Sequence, residues 1–250
     1  MKFSLLPFLF VLATLGTIPA QTTSQTAGQI TCPRPTATAP VWGKLVISGN
    51  NVSCYYGTGT TTPTTWKQIG GSVNINFVNN PVLVGIFTTS HSATAITTGT
   101  VDNFTITPTP TYRLVDTDIG APSFMGSANL INGVWTISGS GEDIWNTKDQ
   151  FNFQPWLVGG DCTVICRVTS ISSGDPWQKI GIMVRDGYNS GSDYAMFCTT
   201  LSEGVNFQYR TNFDNNSDFS ELVSPPSPGV ISNIAVGYSL TGSTAYVVRP

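Results

Sequence analysis

The chain holds a single histidine, His91, in the run Thr89-Ser90-His91-Ser92, and three glutamates, Glu142, Glu203 and Glu221. Nucleophilic catalysis of the Ser–His–Asp kind needs a base within hydrogen-bond reach of the nucleophile and a third group to orient it. The G-x-S-x-G turn that presents such a serine does not occur in the sequence, so His91 reads as a structural loop residue. Glycoside hydrolysis needs two carboxylates facing each other, ~5 to 9 Å apart. An alternating E-x-D-x-x-E run, which would set such acids on one strand, is absent. Glu142 and Asp143 are neighbours, and neighbours on a strand point to opposite faces. The chain is therefore expected not to be an enzyme.

Non-covalent recognition of a saccharide asks for different residues. Sugar rings present flat apolar faces that stack on Trp or Tyr, and hydroxyls that pair with Asp, Asn, Lys or Arg. Trp145, Trp156 and Trp177 lie in turn-flanked segments, with Asp143, Asp175, Lys179 and Arg185 close in sequence. These seven are the candidate ligand-binding residues. A plainer account of each stands beside this one: a sandwich Trp usually packs in the core, an Asp before Pro or Trp caps a turn, and Asp175 and Arg185 pair with charges in a loop network. The acidic and amide run Asp214, Asn215, Asn216 and Asp218 supplies oxygen ligands of the kind Ca²⁺ takes, though its spacing fits no set motif. No other cofactor or metal is expected. Cys162 and Cys166 lack the C-x-x-C spacing and the histidines of a zinc site, and read as small buried residues.

The composition sets the frame for this chemistry. Of 250 residues only 10% are charged, with 25 Gly and 16 Pro, and the formal net charge is −3. No basic cluster is present, which argues against a nucleic-acid partner. Lys2 followed by the apolar run Phe3 to Leu15 and small residues to Ala20 reads as a signal peptide over 1–20. That run is short for a membrane span, and no later segment is apolar enough to cross, so the chain is expected to be secreted and not transmembrane. Export places the five cysteines in an oxidising compartment, where an odd count leaves at least one without an intramolecular partner. Cys162 and Cys166, four apart on one strand, lie too far apart to bond each other. Three N-x-[ST] sequons, at Asn51, Asn103 and Asn215, are glycan acceptors if the host is eukaryotic.

The elements that must carry these side chains are strands. Residues 21–40 are Thr, Gln and Pro rich and read as a disordered leader. Strands are expected over Lys44 to Ile47, Val52 to Tyr56, Trp66 to Ile69, Ser72 to Phe77, Val82 to Thr88 and Val101 to Ile106. Thr107 to Thr111 (T-P-T-P-T) is a stiff joint that cannot pair in a central sheet. A second block is expected to run through Ser127 to Ile131, Val134 to Ser138, Gln150 to Leu157, Cys162 to Ile171, Lys179 to Arg185, Tyr194 to Thr200 and Val205 to Arg210. Asn132-Gly133 marks a tight hairpin between the first two. A Pro-rich break at Ser224 to Pro228 precedes a final pair, Ile234 to Leu240 and Thr244 to Val248. Many short strands without helices indicate a sandwich or jelly roll.

The runs Gly141-Glu142-Asp143-Ile144-Trp145, Gly160-Asp161-Cys162-Thr163-Val164 and, above all, Asp175-Pro176-Trp177-Gln178-Lys179-Ile180-Gly181-Ile182-Met183-Val184-Arg185 resemble the concanavalin A-like domains of the DUF1349 ("regulation of enolase") type. The likeness covers most of 114–213. Trp42-Gly43-Lys44-Leu45, Trp66-Lys67-Gln68-Ile69-Gly70 and Val101-Asp102-Asn103-Phe104 resemble later strands of the same family, so the halves stand in reversed order. The resemblance implies an all-β concanavalin A-like jelly-roll sandwich of two antiparallel sheets. It also implies a glycan or polysaccharide partner, because such domains accompany glycosidases and carbohydrate-binding modules in secreted proteins. Two accounts of the order stay open: one circularly permuted sandwich, or a slice of a tandem array, the latter favoured by the echo of 42–55 in 234–248. Either way one sandwich is expected over 41–223, with 41–106 giving later strands, 107–113 the joint and 114–223 earlier strands, and with 224–250 a C-terminal hairpin. A half-sandwich would leave apolar faces and open edges in water. Besides lectin-like binding, a structural or adhesive module and a laminarinase-like hydrolase are the other functional readings.

Overall fold

The computed structural model describes residues 40–223, with side chains to residue 220. The expected signal peptide, almost all of the leader, Cys32 and the C-terminal hairpin lie outside the described residues. Among those described there is no helix, and so none long and apolar enough to cross a membrane.

The described residues form seventeen strands, in chain order β1 Val41–Ser48, β2 Asn51–Thr58, β3 Lys67–Asn74, β4 Val82–Thr89, β5 Ser92–Thr107, β6 Tyr112–Arg113, β7 Thr117–Ile119, β8 Ser127–Ile131, β9 Val134–Gly141, β10 Ile144–Trp145, β11 Lys148–Asp149, β12 Phe151–Val158, β13 Cys162–Ile171, β14 Lys179–Arg185, β15 Tyr194–Thr200, β16 Val205–Arg210 and β17 Asp218–Val223. They form an all-β sandwich of two antiparallel sheets. One, of seven strands, has the order β3-β2-β1-β13-β5-β9-β8; the larger, of eight, has the order β17-β16-β15-β14-β4-β12-β6 with β7 also pairing β12; β10 and β11 make a separate ribbon.

Strands from before and after the T-P-T-P-T joint are neighbours in both sheets. β13 lies between β1 and β5, with Gly43 opposite Cys166. β4 lies between β12 and β14, with Phe87 opposite both Phe153 and Gly181. Every residue of β4 is buried, as the near-continuous apolar run Val82-Leu83-Val84-Gly85-Ile86-Phe87 requires of a central strand. Between the sheets the inward side chains of alternate positions meet: Val164, Cys166 and Val168 from one, Ile182, Val184 and Phe197 from the other. The outward face of the larger sheet carries a second apolar cluster, including Phe87, Phe151, Phe153, Met183 and Met196. Loops close over it, so this sheet is apolar on both faces.

Local chemistry explains the turns. Asn132 and Gly133 take φ of 51° and 80°, the pair of positive values that a two-residue hairpin of matching twist requires. Pro108 and Pro110 end β5 and lie outside any strand. Two elements depart most from the sequence expectation. Trp66 to Ile69 and Ser72 to Phe77 are not two strands: Lys67–Asn74 is one strand against β2, with a register shift between Val52 and Cys54 and Gly70 at φ 61°. A bulge looks like a turn in sequence because it uses the same glycine. β5 begins at Ser92, not Val101, because the polar Thr-rich stretch 97–100 pairs with both β9 and β13 through hydroxyls as well as backbone.

Cys54, Cys162, Cys166 and Cys198 are all buried and unbonded. Cys162 and Cys166 face the core from one side of β13, opposite Ile47 and Gly43. Burial pushes the Cys162 thiol up to about 11, and those of Cys166 and Cys198 to about 12. The thiolate is the reactive form. In native protein at pH 8 these four are therefore expected to resist iodoacetamide and to label only after unfolding, as read residue by residue by peptide mass spectrometry.

Candidate functional site

Beyond one end of the larger sheet, three segments distant in sequence bring charges together. β4 and β5 are joined by a tight turn at Ser90 and His91, where His91 takes φ of 53°. The turn after β9 carries Glu142 and Asp143, which are not on a strand. The loop between β13 and β14 carries Asp175 and Trp177, and β14 opens with Lys179. His91 sits between the two carboxylates: Nε2 is 3.4 Å from Asp143 Oδ2, and Nδ1 is 2.9 Å from Asp175 Oδ1. The Nδ1 contact is close without being an aligned hydrogen bond, so this buried nitrogen is left unsatisfied.

Each acid also has structural work. Asp143 accepts from the backbone N–H of Ile144 and forms a close ion pair with Lys179, whose side chain is only 3% exposed. Asp175 Oδ1 accepts from the backbone N–H of Trp177 at 2.8 Å, which shapes the turn. Trp177 is 38% exposed. Ser90, beside the histidine, donates its hydroxyl to Ser92 O rather than to the imidazole. Behind the cluster, Lys179 pairs across the sheet with Thr200, and the Asp143–Lys179 pair acts electrostatically on the Cys198 thiol of β15.

Four of the seven candidates, Asp143, Asp175, Trp177 and Lys179, thus gather at one place. The other three lie elsewhere. Trp156 points into the sandwich against Phe104 and Trp135, with ring centroids 4.7 and 5.6 Å away. Arg185 is at the opposite end of β14, six residues on, and points into a second, fully buried cluster. There Asp149 Oδ2 receives Arg185 Nη1 at 2.9 Å, and its Oδ1 receives Arg210 Nη2 at 2.7 Å, all three side chains being 0% exposed. The acceptors of the other guanidinium protons include the backbone carbonyls of Gly187 and Asn189 for Arg185, and of Asn146, Ser192 and Asn215 for Arg210. Burial pulls the Arg185 guanidinium down and the Asp149 carboxylate opposes this. Burial likewise raises Asp193 nearby and drives the Tyr194 phenol far above its usual range.

Trp145 belongs to the rim above that cluster. It pairs across the β10–β11 ribbon with Lys148. Its ring lies 6.1 Å from Phe219, and Lys148 lies over Phe213 at 5.9 Å while pairing with Asp214 at 2.5 Å. Phe213 and Phe219 are 54% and 42% exposed, so the rim carries an aromatic row. Asp214, named above as a source of calcium ligands, is thereby engaged by a lysine. Asp218 Oδ1 accepts from the N–H of Phe219, and Asn215 and Asn216 are exposed. Among the described residues no group of three or more His, Cys, Asp or Glu side chains is placed to hold a metal ion.

The residue that sequence reasoning passed over is His91. A single histidine in a Ser- and Thr-rich turn has no local partner. Its role follows only from the β4–β5 turn meeting the loops that flank β10 and β14. Comparison of the chain with protein-family models, with curated proteins and with solved structures gives no match.

Proposed function

We propose that the chain is a secreted, non-catalytic carbohydrate-binding module of concanavalin A-like type, accessory to polysaccharide degradation or to adhesion. The observation that carries this reading is a partly exposed indole, Trp177, in the turn shaped by Asp175, whose carboxylate shares His91 with the Lys179-paired Asp143. An apolar ring with partly exposed carboxylate acceptors in the same turn region suits the apolar face and the hydroxyls of a pyranose. The resemblance of 141–185 to DUF1349-type domains and the signal-like N-terminus support the same reading, as does the reversed order of the two halves, taken as a permutation of such a domain. Binding rather than hydrolysis is favoured because each acid is tied to backbone or lysine, and because both share one imidazole.

A glycan array with the mature chain tests this. Signal on one class of polysaccharide is expected. Trp177→Ala should weaken it about threefold to tenfold, the loss of roughly 0.5–1.5 kcal/mol of stacking, with the thermal midpoint unchanged. A blank array for the wild-type chain would reject the reading. The ties holding Asp143 and Asp175 would then mark a structural or adhesive module, the second reading those ties favour. Release of reducing sugar from a bound glycan would instead make it a hydrolase.

A further inference from the structure

Both ring nitrogens of His91 face carboxylates, Nε2 at 3.4 Å from Asp143 and Nδ1 at 2.9 Å from Asp175. A neutral imidazole carries one N–H, so one nitrogen must turn a lone pair toward an acid; an imidazolium donates on both sides. The unsatisfied Nδ1 is the mark of that frustration. The other charged or titratable groups around the ring come from each element packed there: Asp143 and the exposed Glu142 from the turn after β9, Asp175 from the loop before β14, Lys179 from β14, and Cys198 behind it on β15, whose thiol burial keeps protonated. Lys179 already neutralises much of Asp143. Asp175, which also accepts the backbone N–H of Trp177, gains most from a positive ring.

We infer that proton uptake by His91 is a pH-operated latch on the saccharide site, an inference that rests on the carbohydrate reading above. One proton passes from solvent to the imidazole, and no bond of the ligand is made or broken. The imidazolium draws Asp143 and Asp175 onto its two N–H groups and takes their oxygens away from the hydroxyls of a sugar on Trp177. When the ring is neutral, one carboxylate is released to the ligand. The site is open when the ring is neutral and closed when it is protonated. His91 is a positioning residue here, and the chain has no other histidine to confuse the readout.

The test compares wild type with His91→Asn, a residue that tolerates the left-handed backbone at this position. Binding to the best glycan of the array is expected to be at least about threefold tighter at pH 8 than at pH 5 for wild type, a difference of roughly 0.6 kcal/mol or more, and flat for the variant. A flat wild-type profile, or the same profile in both proteins, overturns the latch. If the chain binds no glycan, amide hydrogen exchange of residues 172–178 still decides it. After correction for the intrinsic rate, protection should be higher at pH 5 in wild type but not in His91→Asn. Equal protection at both pH values overturns the latch whether or not a sugar binds, so its failure and that of the carbohydrate reading are told apart.

Discussion

Asp149→Ala is expected to cost about 3–5 kcal/mol, the usual result of removing one partner from a buried ion pair, and to lower the thermal midpoint by on the order of 10 °C. Asp149 is the sole carboxylate bonded to Arg185 and Arg210 among the described residues, and all three are fully buried. Without it two guanidiniums remain in the interior with only neutral partners, carbonyls and the Ser217 hydroxyl among them. The damage extends beyond one pair, because Arg210 also gathers Trp145 O, Asn146 O, Ser190 O, Ser192 O, Asn215 O and Ser217 Oγ. Those atoms belong to the three loops that form the aromatic rim, and Tyr194 Oη donates into the same knot at Ser217. Urea unfolding measures the loss. The triple variant Asp149→Leu, Arg185→Met, Arg210→Met should recover much of it, since no charge is then left without its partner. A single Asp149→Ala as stable as wild type would show that the carbonyls alone suffice.

The second large effect joins the chain's two blocks. Gly43 of β1 faces Phe197 of β15 across the sandwich, and a Cβ at Gly43 would lie 2.1 to 2.5 Å from three atoms of that ring. The glycine is there because the neighbouring sheet fills its place. Phe197→Ala is expected to cost about 3–5 kcal/mol through the cavity it leaves. Gly43→Leu is expected to cost roughly 1–3 kcal/mol by overpacking. The double variant should cost less than the sum, because the leucine enters the vacated ring space. Contacting residues couple by ~0.5–3 kcal/mol in such cycles. Strict additivity in equilibrium unfolding would mean the two side chains do not share that space.

Strand content was readable from the sequence for simple reasons. Val164, Cys166 and Val168 alternate because one face of β13 is buried. Asn132-Gly133 marked its hairpin because few residues accept two positive φ values in succession. The site was legible only in part. Asp175, Trp177 and Lys179 lie within five residues, and a local reading finds them together. Arg185 stands on the same side of β14 as Lys179, yet the strand rises ~3.3 Å per residue, so it falls in a different cluster some six residues along. Trp156 reads like Trp177 in a list of aromatics. The difference comes from strand register: Trp156 opposes Val84 on a strand whose alternate side chains turn inward.

Residue types and their periodicity thus decided that this chain is built of strands, where it turns, and which segments carry aromatic and acidic groups. Those are local matters, settled by φ/ψ preferences and by the two-residue repeat of a strand. Which strands become neighbours was decided in three dimensions, where β4 and β13 each enter the sheet completed by the other half of the chain. The meeting of His91 with Asp143 and Asp175, and of Asp149 with two arginines, was decided there as well. Long-range pairing depends on how whole faces are hidden from water and on which buried charge finds an opposite one. No window of neighbouring residues contains that information.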